Sequence, residues 1–315
     1  MSALSQLQTM TTIVADTGDL SAIARLKPVD ATTNPSLITK ALTHPDKQAM
    51  LADSLNRYSS YGINMIDRVI DDLTIQVGCD ILKLINGRVS TEVDARLSYD
   101  TEATIAKAHE FMDAYERAGV DKDRILIKIA ATWQGIKAAE QLEKEGIHCN
   151  LTLIFGQHQA IACAEAGVTL ISPFVGRILD WQKREENRQI IPVDEDMGVQ
   201  SVKRTYQYYK QHNYHTQVMG ASFRSVDQIL ALAGCDLLTI SPELLDELSA
   251  LDTVVNQVLS ADMASETMSK VSLTVDQFNA EYEKDSITQT LLPKGIEGFI
   301  AAREELAKAL KLLVK

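Results

Sequence analysis

The chain has 315 residues, of which 45% are hydrophobic and 23% charged, and this composition excludes a disordered chain and a collagen-like fibre. Its formal net charge of −12 argues against nucleic acid and anionic membranes as partners, because both select basic surfaces. The sequence has no apolar run of about 18 residues and no basic, apolar leader at its start, so we expect a cytoplasmic protein.

The cysteines and histidines do not indicate a metal centre or a disulfide framework. His212 and His215, in the polar segment "QHNYHT", are the only close pair among the six histidines. The four cysteines are scattered without a C-x-x-C spacing, which favours buried free thiols. They are Cys79, Cys149, Cys163 and Cys235. We therefore expect no metal ion at the functional site.

The sequence of the first third of the chain indicates three strands and three helices. A helix precedes the first strand, "TTIVAD" (11–16), and the second strand is "DATTNP" (30–35). Two helices, at about 46–60 and 64–85, come before the third strand, "RVSTEVD" (88–94).

Four helical patterns then end in glycine and lead directly into a short apolar segment. Glycine suits the left-handed conformation that ends a helix, and the apolar period changes there from 3.6 to 2 residues. The transitions are Gly119 to "ILIKIA", Gly146 to "CNLTLIF", Gly167 to "VTLISPFV" and Gly234 to "CDLLTIS". With "QVMGAS" (217–222), the chain has eight candidate strands.

Alternation of eight strands with helices predicts an α/β fold, a (β/α)8 TIM barrel. A doubly wound open sheet is the alternative, but it usually carries a G-x-G-x-x-G or P-loop motif after an early strand, and this sequence has neither. A polar excursion covers 182–200, and residues 243–315 are predicted to be helical. We expect 1–315 to form a single domain with a C-terminal helical extension from about 243.

Strand alternation places polar side chains on one face of nearly every strand, close to its C-terminal end. The C-terminal ends of the strands form the catalytic face of such a barrel, so we expect these side chains to converge. The predicted inner faces are Asp16 on strand one, Thr32 and Asn34 on two, Ser90, Glu92 and Asp94 on three, Leu126, Lys128 and Ala130 on four, Asn150, Thr152 and Ile154 on five, Leu170, Ser172 and Phe174 on six, and Val218, Gly220 and Ser222 on seven.

Lys128, near the middle of the strand "ILIKIA", is the most informative of these residues. Burial disfavours the charged form of an amine, and a neutral amine can attack a ketone to form a Schiff base. If Asp16 and Glu92 lie beside it, the two carboxylates can carry the protons that this chemistry requires.

Each residue also has a structural interpretation. A strand lysine can extend its amine into solvent or pair with a carboxylate, and Asp16 can cap a helix. Glu92 and Asp94 can form ion pairs at the barrel mouth, and Asn34 before Pro35 is a common turn dipeptide. Their joint occurrence at strand ends favours a catalytic site.

Seven segments resemble, in order and spacing, the long-chain transaldolases of bacteria and eukaryotes, from about residue 11 to residue 242. They are "VADTGDL", "DATTNPSLI", "RVSTEVDARLSYD", "RILIKIAATWQGI", "NLTLIF", "LISPFVGRILDW" and "VMGASFR". The resemblance implies transfer of dihydroxyacetone from sedoheptulose 7-phosphate to glyceraldehyde 3-phosphate, giving erythrose 4-phosphate and fructose 6-phosphate. It implies phosphorylated sugars as substrates, no metal or organic cofactor, and a homodimer.

The resemblance also implies roles for individual residues. Lys128 matches the Schiff-base lysine, and Asp16 matches the group that takes the proton of the C4 hydroxyl. Glu92 matches a carboxylate that acts through a water held by Thr152. The expected substrate-binding residues are Asn34, Asn150 and Ser172 for the dihydroxyacetone unit, Arg177, Ser222 and Arg224 for the phosphate, and Ser90 and Phe174 on the inner strand faces. Surface ion pairing is the alternative for the two arginines.

One segment departs from the family pattern. The chain has "LIFGQHQA" (153–160) where the family usually has "LLFSFAQA". His158 is either a new polar group at the barrel mouth or a residue at the start of a helix, and we favour the helix start.

Two other functions use the same residues. One is a class I fructose-6-phosphate aldolase that releases free dihydroxyacetone, and the other is a non-catalytic phosphosugar-binding barrel in which Lys128 pairs with Glu92. Phe174 favours transfer over release, because an apolar ring near the site keeps water scarce.

Overall fold

The computed structural model describes residues 1–42, 44–262 and 267–314, and at its centre eight parallel strands close into a barrel in the order β1 to β8. All eight predicted strands are present, so the predicted (β/α)8 barrel is confirmed. The strands are β1 (Thr12–Asp16), β2 (Asp30–Thr32), β3 (Val89–Glu92), β4 (Ile125–Ala130), β5 (Cys149–Ile154), β6 (Leu170–Pro173), β7 (Gln217–Gly220) and β8 (Leu237–Ile240).

Helices surround the barrel and extend beyond it. They are α1 (Ala3–Leu7), α2 (Leu20–Leu26), α3 (Pro35–Leu42), α4 (Gln48–Arg57), α5 (Met65–Leu82), α6 (Thr101–Arg117), α7 (Trp133–Lys144), α8 (Gln157–Glu165), α9 (Val175–Glu185), α10 (Met197–Gln211), α11 (Val226–Leu230), α12 (Pro242–Ala250), α13 (Val275–Lys284) and α14 (Ser286–Leu313). Short 3₁₀ turns cover Pro45–Lys47, Ser59–Asn64, Ala95–Leu97 and Lys122–Arg124. None of the helices in the described ranges is both long and apolar enough to cross a membrane.

The second strand is shorter than predicted, because a helix begins at Pro35. Proline suits the first helical position, since its missing N–H would have no partner within the helix. The backbone N–H of Leu37 donates to Asn34 Oδ1 over 3.0 Å, so Asn34 caps α3. This helix was not predicted from the sequence.

The prediction that residues 243–315 are helical is wrong in part. Helices α12, α13 and α14 are present, but 251–262 and 267–274 are not helical. The backbone N–H groups of Val258 and Leu259 instead donate to the carbonyl of Ala233 over 2.8 and 2.9 Å. The apolar residues of this segment do have helical spacing, but two of them bond to the loop before β8 rather than within a helix. These apolar residues are Leu251, Val254, Val255, Val258 and Leu259. The excursion at 182–200 also contains the end of α9 and the start of α10.

Two local distortions change which side chains face the barrel interior. The inner layer is formed by Val14, Leu126, Leu170, Met219 and Leu237. On β7, Met219 therefore faces inward, and the predicted inner face of Val218 and Gly220 is wrong by one residue. Ser222 still reaches the mouth, because its positive φ of 63° turns the chain after the strand.

A second distortion lies in β5. Leu153 has a φ of 59°, and the pairing of β5 with β6 shifts between Thr152 and Ile154. Such a bulge reverses the facing of the residues that follow it. Ile154 consequently packs with the outer core, and its predicted inward position is wrong. Thr152 keeps its predicted position at the pocket.

Helix α14 crosses the mouth of the barrel and packs against α3, α5 and β5. Apolar side chains of α14 and of the strand ends form a separate cluster there, which we call the mouth cluster. Its buried members are Ala95, Ala130, Leu153, Phe155, Phe174, Ile178, Ala221, Leu291, Leu292, Ile296 and Phe299. The mouth cluster forms an apolar wall beside the strand ends that carry the polar residues.

Candidate active site

A pocket of about 280 Å³ lies at the C-terminal ends of the strands. Nine of the twelve predicted site residues line it, and the other three are buried directly behind it. The nine are Asp16, Asn34, Lys128, Thr152, Ser172, Phe174, Arg177, Ser222 and Arg224. The three behind the pocket wall are Ser90, Glu92 and Asn150.

Lys128 and Glu92 form a buried ion pair. Lys128 Nζ lies 2.9 Å from Glu92 Oε2 and 3.4 Å from the carbonyl oxygen of Thr33. Lys128 is only 6% exposed and Glu92 is 9% exposed, so the amine does not extend into solvent. The amine nevertheless lines the pocket, where a carbonyl carbon of a substrate could reach it.

Burial and the neighbouring cations have opposing effects on the pKa of Glu92. Burial raises the pKa of the Glu92 carboxyl above its ordinary value, and the cations of Lys128 and Arg177 reduce that rise. A carboxyl of this kind can exchange a proton with an adjacent amine more readily than an exposed glutamate. Burial also lowers the pKa of the Arg177 guanidinium, and the nearby Arg224 contributes to the decrease.

Asp16 lies at the end of β1 and accepts a hydrogen bond from the hydroxyl of Thr32 over 3.2 Å. It does not cap a helix, because the N-cap of α2 is Asp19, whose side chain accepts from the backbone N–H groups of Ser21 and Ala22. The Asp16 carboxylate therefore points into the pocket and is available to a substrate hydroxyl.

Asn150 of β5 connects β3 and β6 through its side-chain amide. Its Nδ2 donates to Ser90 Oγ over 3.0 Å, and its Oδ1 accepts from Ser172 Oγ over 2.6 Å. Asn150 is fully buried, so its amide fixes the orientation of the Ser172 hydroxyl at the pocket wall. Thr152 Oγ1 is buried and has no hydrogen-bond partner among the described residues.

Two arginines lie at the outer end of the pocket. Arg224 pairs with Asp180 through its Nε and Nη2, at 3.1 and 2.7 Å, and its Nη1 donates to Ser222 Oγ over 3.2 Å. Gly176 permits this packing, because a Cβ there would lie 2.1 Å from the Ser222 carbonyl oxygen. The two guanidinium groups and the serine hydroxyl are donors suited to a phosphate.

Two aromatic rings flank the cations of the pocket. The Cζ of Arg177 lies 4.8 Å from the centroid of the Phe174 ring and 5.8 Å from that of Phe299. The Phe299 ring also lies 5.4 Å from Lys128 Nζ. Phe299 was not predicted from the sequence, because it lies on a helix whose docking position is not encoded by strand alternation. Thr239 and Ser241, at the end of β8, also line the pocket and could have been found from that alternation.

Two predicted residues have structural rather than pocket positions. Asp94 does not line the pocket but pairs with Arg96 and Arg303, as in its ion-pair interpretation. His158 is the second residue of α8 and is buried beneath α13, with its ring 5.0 Å from that of Phe278. His158 is thus a helix-start residue, as we favoured.

Gly156, which belongs to the same departure from the family pattern, is tightly enclosed. A Cβ there would lie 2.3 Å from Asp285 Oδ2 and 2.5 Å from His158 Cε1. Gly156 and His158 therefore depend on each other, because the absence of a side chain at Gly156 leaves room for the His158 imidazole and for the start of α14.

A larger groove of about 880 Å³ lies on the outer surface, between α4, α5 and α6. It contains none of the strand-end residues, and its charged side chains have mixed signs. The chemistry of the side chains, rather than the size of the cavity, identifies the pocket at Lys128 as the candidate active site.

Comparison with known proteins gives a consistent result over nearly the whole chain. The family model described as transaldolase/fructose-6-phosphate aldolase matches residues 13–310. A transaldolase of Cellvibrio japonicus is 53% identical over 312 residues, which cover 98% of this chain and 98% of that protein. Transaldolases of Acidobacterium capsulatum and Methylococcus capsulatus are 53% and 52% identical, each covering 98% of this chain and 95% of the relative.

Proposed function

The chain belongs to the transaldolase/fructose-6-phosphate aldolase family, and we propose that it is a transaldolase. It transfers dihydroxyacetone from sedoheptulose 7-phosphate to glyceraldehyde 3-phosphate, giving erythrose 4-phosphate and fructose 6-phosphate in the non-oxidative pentose phosphate pathway. The observation that carries the proposal is the buried Lys128 amine, 2.9 Å from Glu92 in a pocket that also contains Asp16.

In this proposal Lys128 is the nucleophile. Its neutral amine adds to the ketone carbon of the sugar, and Glu92 carries the protons that convert the carbinolamine to a protonated imine. The unpartnered hydroxyl of Thr152 supports its expected role of holding a water for that transfer. Asp16 then removes the proton of the C4 hydroxyl, so that the C3–C4 bond breaks and the protonated imine accepts the electron pair as an enamine.

The two ends of the substrate meet different groups. Asn34 and Ser172 line the pocket and bind the hydroxyl groups of the dihydroxyacetone unit. Behind the wall, the hydrogen bonds of Asn150 to Ser90 and Ser172 orient the Ser172 hydroxyl for this contact. At the other end, the phosphate is bound by Arg177, Ser222 and Arg224. Asp180, which pairs with Arg224, keeps that guanidinium extended toward the phosphate position.

Reductive trapping tests the proposal. With fructose 6-phosphate and borohydride, the wild-type protein should gain a permanent three- or six-carbon adduct on Lys128, detected by mass spectrometry of the peptide. Lys128→Ala should gain none and should have no transfer activity, while retaining the wild-type circular dichroism spectrum. A wild-type protein that binds the sugar without forming an adduct would instead be a non-catalytic phosphosugar-binding barrel.

The alternative enzyme is a fructose-6-phosphate aldolase, and the apolar wall of the pocket argues against it. Phe174 lines the pocket and packs edge to face on Phe155, with ring centroids 5.9 Å apart. Neither ring offers a donor to protonate the enamine, which favours an aldehyde acceptor over water. Measuring free dihydroxyacetone with and without an acceptor separates the two activities.

We further propose a single domain, a cytoplasmic location and a homodimer. The packing of α14 across the barrel mouth supports the single domain. The four cysteines are free thiols, as in proteins of a reducing compartment. The homodimer depends on the family resemblance, and light scattering at several protein concentrations tests it. No metal ion or organic cofactor enters the proposed reaction, and full activity after exhaustive chelation would support this.

A further inference from the structure

Phe299 brings α14 into contact with the reactive amine. The residue is 8% exposed, and its ring faces both Lys128 and Arg177, with Lys128 Nζ 5.4 Å from the ring centroid. A cation over an aromatic face is attracted by the ring, and the attraction is strongest where water is excluded. The same face would meet the positive charge of the protonated imine that forms on Lys128.

An ion-pair network fixes the position of this ring. Arg303 is four residues after Phe299 and so lies one turn further along the same face of α14. It is buried and pairs with Asp67 and Asp71 of α5, at 3.1 and 3.0 Å. Its Nε lies 3.0 Å from Asp94 Oδ2. Asp94 follows Glu92 by two residues, so the network connects α14 to the strand that carries the buried acid.

The helix also approaches the pocket closely at Gly295, one turn before Phe299. A Cβ on Gly295 would lie 2.6 Å from Leu153 Cδ2 and 3.2 Å from Arg177 Nη1. Leu153 is the residue with positive φ in the β5 bulge, directly after Thr152. The absent side chain, the bulge and the Arg303 network therefore all bring Phe299 toward Lys128.

We propose that Phe299 is a positioning residue that closes the pocket over Lys128 and retains the enzyme-bound three-carbon unit for its aldehyde acceptor. This inference rests on the proposed transaldolase function. In transfer, the enamine carbon forms a bond to the aldehyde carbon, and the aldehyde oxygen takes a proton from Asp16. In release, the enamine carbon takes a proton, water adds to the resulting iminium carbon, and the C–N bond breaks to give dihydroxyacetone and the free amine. Both routes end with the hydrolysis of an iminium by one water, so they differ only in whether the enamine carbon meets the aldehyde or a proton. A side chain that keeps proton-donating water away from that carbon therefore favours transfer.

The test compares release with transfer in the full-length protein. Free dihydroxyacetone from fructose 6-phosphate alone is measured beside transfer to erythrose 4-phosphate, and the ratio of the two rates is calculated. Phe299→Ala should raise this ratio by about three- to tenfold, and Phe299→Val should raise it less. Phe299→Leu, which restores most of the apolar volume, should return the ratio close to that of the wild type. If Phe299→Ala does not fold, Phe299→Val carries the test.

Leu310→Ala is the matched control. Leu310 is buried on the same helix and does not line the pocket, so its truncation weakens the docking of α14 without opening the site. Its ratio should equal that of the wild type. The inference is overturned if folded Phe299→Ala and Phe299→Val keep the wild-type ratio, or if Leu310→Ala raises the ratio as much as Phe299→Ala. A wild-type protein without transfer activity would instead overturn the proposed function.

Discussion

Glu92 and Lys128 are direct register partners on the neighbouring strands β3 and β4, and their side chains pair at 2.9 Å inside the barrel mouth. Adjacent parallel strands hold the two groups at a fixed separation, so neither can move away without disturbing the barrel. Removing one partner would leave the other as a buried, unpaired group. Each group is therefore needed to pair with the other inside the barrel, in addition to its proposed role in the reaction.

Replacing Glu92 with glutamine should separate these two contributions. Glu92→Gln keeps the shape but cannot exchange a proton, so formation of the trappable imine should slow by about 10²-fold or more. The rate of borohydride-trapped adduct formation, measured by rapid quench with fructose 6-phosphate, checks this. An adduct that forms at the wild-type rate would show that Glu92 is only a counter-ion.

Asp16→Asn should affect a later step. The variant should still form the imine on Lys128, because the amine and Glu92 are unchanged, but cleavage of the C3–C4 bond should slow by about 10²- to 10⁴-fold. The measurement is the six-carbon adduct trapped relative to triose formed. Asp19→Asn is the control, because asparagine caps a helix as well as aspartate and Asp19 does not line the pocket. Normal cleavage by Asp16→Asn would remove Asp16 from its proposed role.

Alanine substitutions at two glycines of α14, one exposed and one packed against the barrel, test how tightly that helix docks. Gly298 is exposed with nothing near its Cβ position, so Gly298→Ala should stabilise the protein by about 0.5–1 kcal/mol through helix propensity. Gly295→Ala gains the same propensity but forces Leu153 and Arg177 to move, and should lower the free energy of unfolding. Urea denaturation of both variants checks this, and equal stabilisation would mean that α14 docks less tightly than described.

The burial of His158 should make stability dependent on pH. Burial lowers the pKa of the His158 imidazole, although the carboxylates of Asp285 and Glu281 oppose the change. Below about pH 6.5 the unfolded chain therefore binds a proton that the folded chain does not, and the free energy of unfolding falls as the pH decreases. This loss ends below the lowered pKa, where both states are protonated.

Denaturation midpoints measured between pH 7.5 and 5 give the contribution of His158 to the pH dependence of stability. His158→Phe should show a smaller loss of stability over that range, and His215→Gln, which removes an exposed histidine, should behave like the wild type. A single proton contributes a slope of at most about 1.4 kcal/mol per pH unit. Equal slopes for His158→Phe and the wild type would contradict the prediction.

The strands of the barrel and its inner residues could be predicted because each follows from a pattern within a short stretch of sequence. Glycine-terminated helices followed by apolar segments located the strands, and alternation put Lys128 and Glu92 on the inner face. On β7 the strand alternates, but Ser222 after the strand gave the wrong phase, so that Met219 rather than Val218 faces inward. On β5 alternation fails after Leu153. A serine and a leucine with positive φ cause or accompany these changes, and neither residue type marks such a conformation in a sequence.

The wall of the pocket was not predictable for a different reason. Phe299 and Arg303 lie on an amphipathic helix, and apolar periodicity shows that a helix has a buried face without showing what that face covers. The ion pairs of Arg303 with Asp67, Asp71 and Asp94 join segments distant in the chain. Such contacts become visible only in three dimensions.

The position of α14 in the chain has a consequence for biosynthesis. During translation the barrel strands are complete once Ile240 has left the ribosome, whereas α14 begins only at Ser286. A nascent or proteolytically clipped chain can thus carry all eight strands and Lys128 while its amine is still uncovered. If Phe299 covers Lys128 as we propose, such a chain would meet sugars with an open site, and docking of α14 would be the last step in building the pocket.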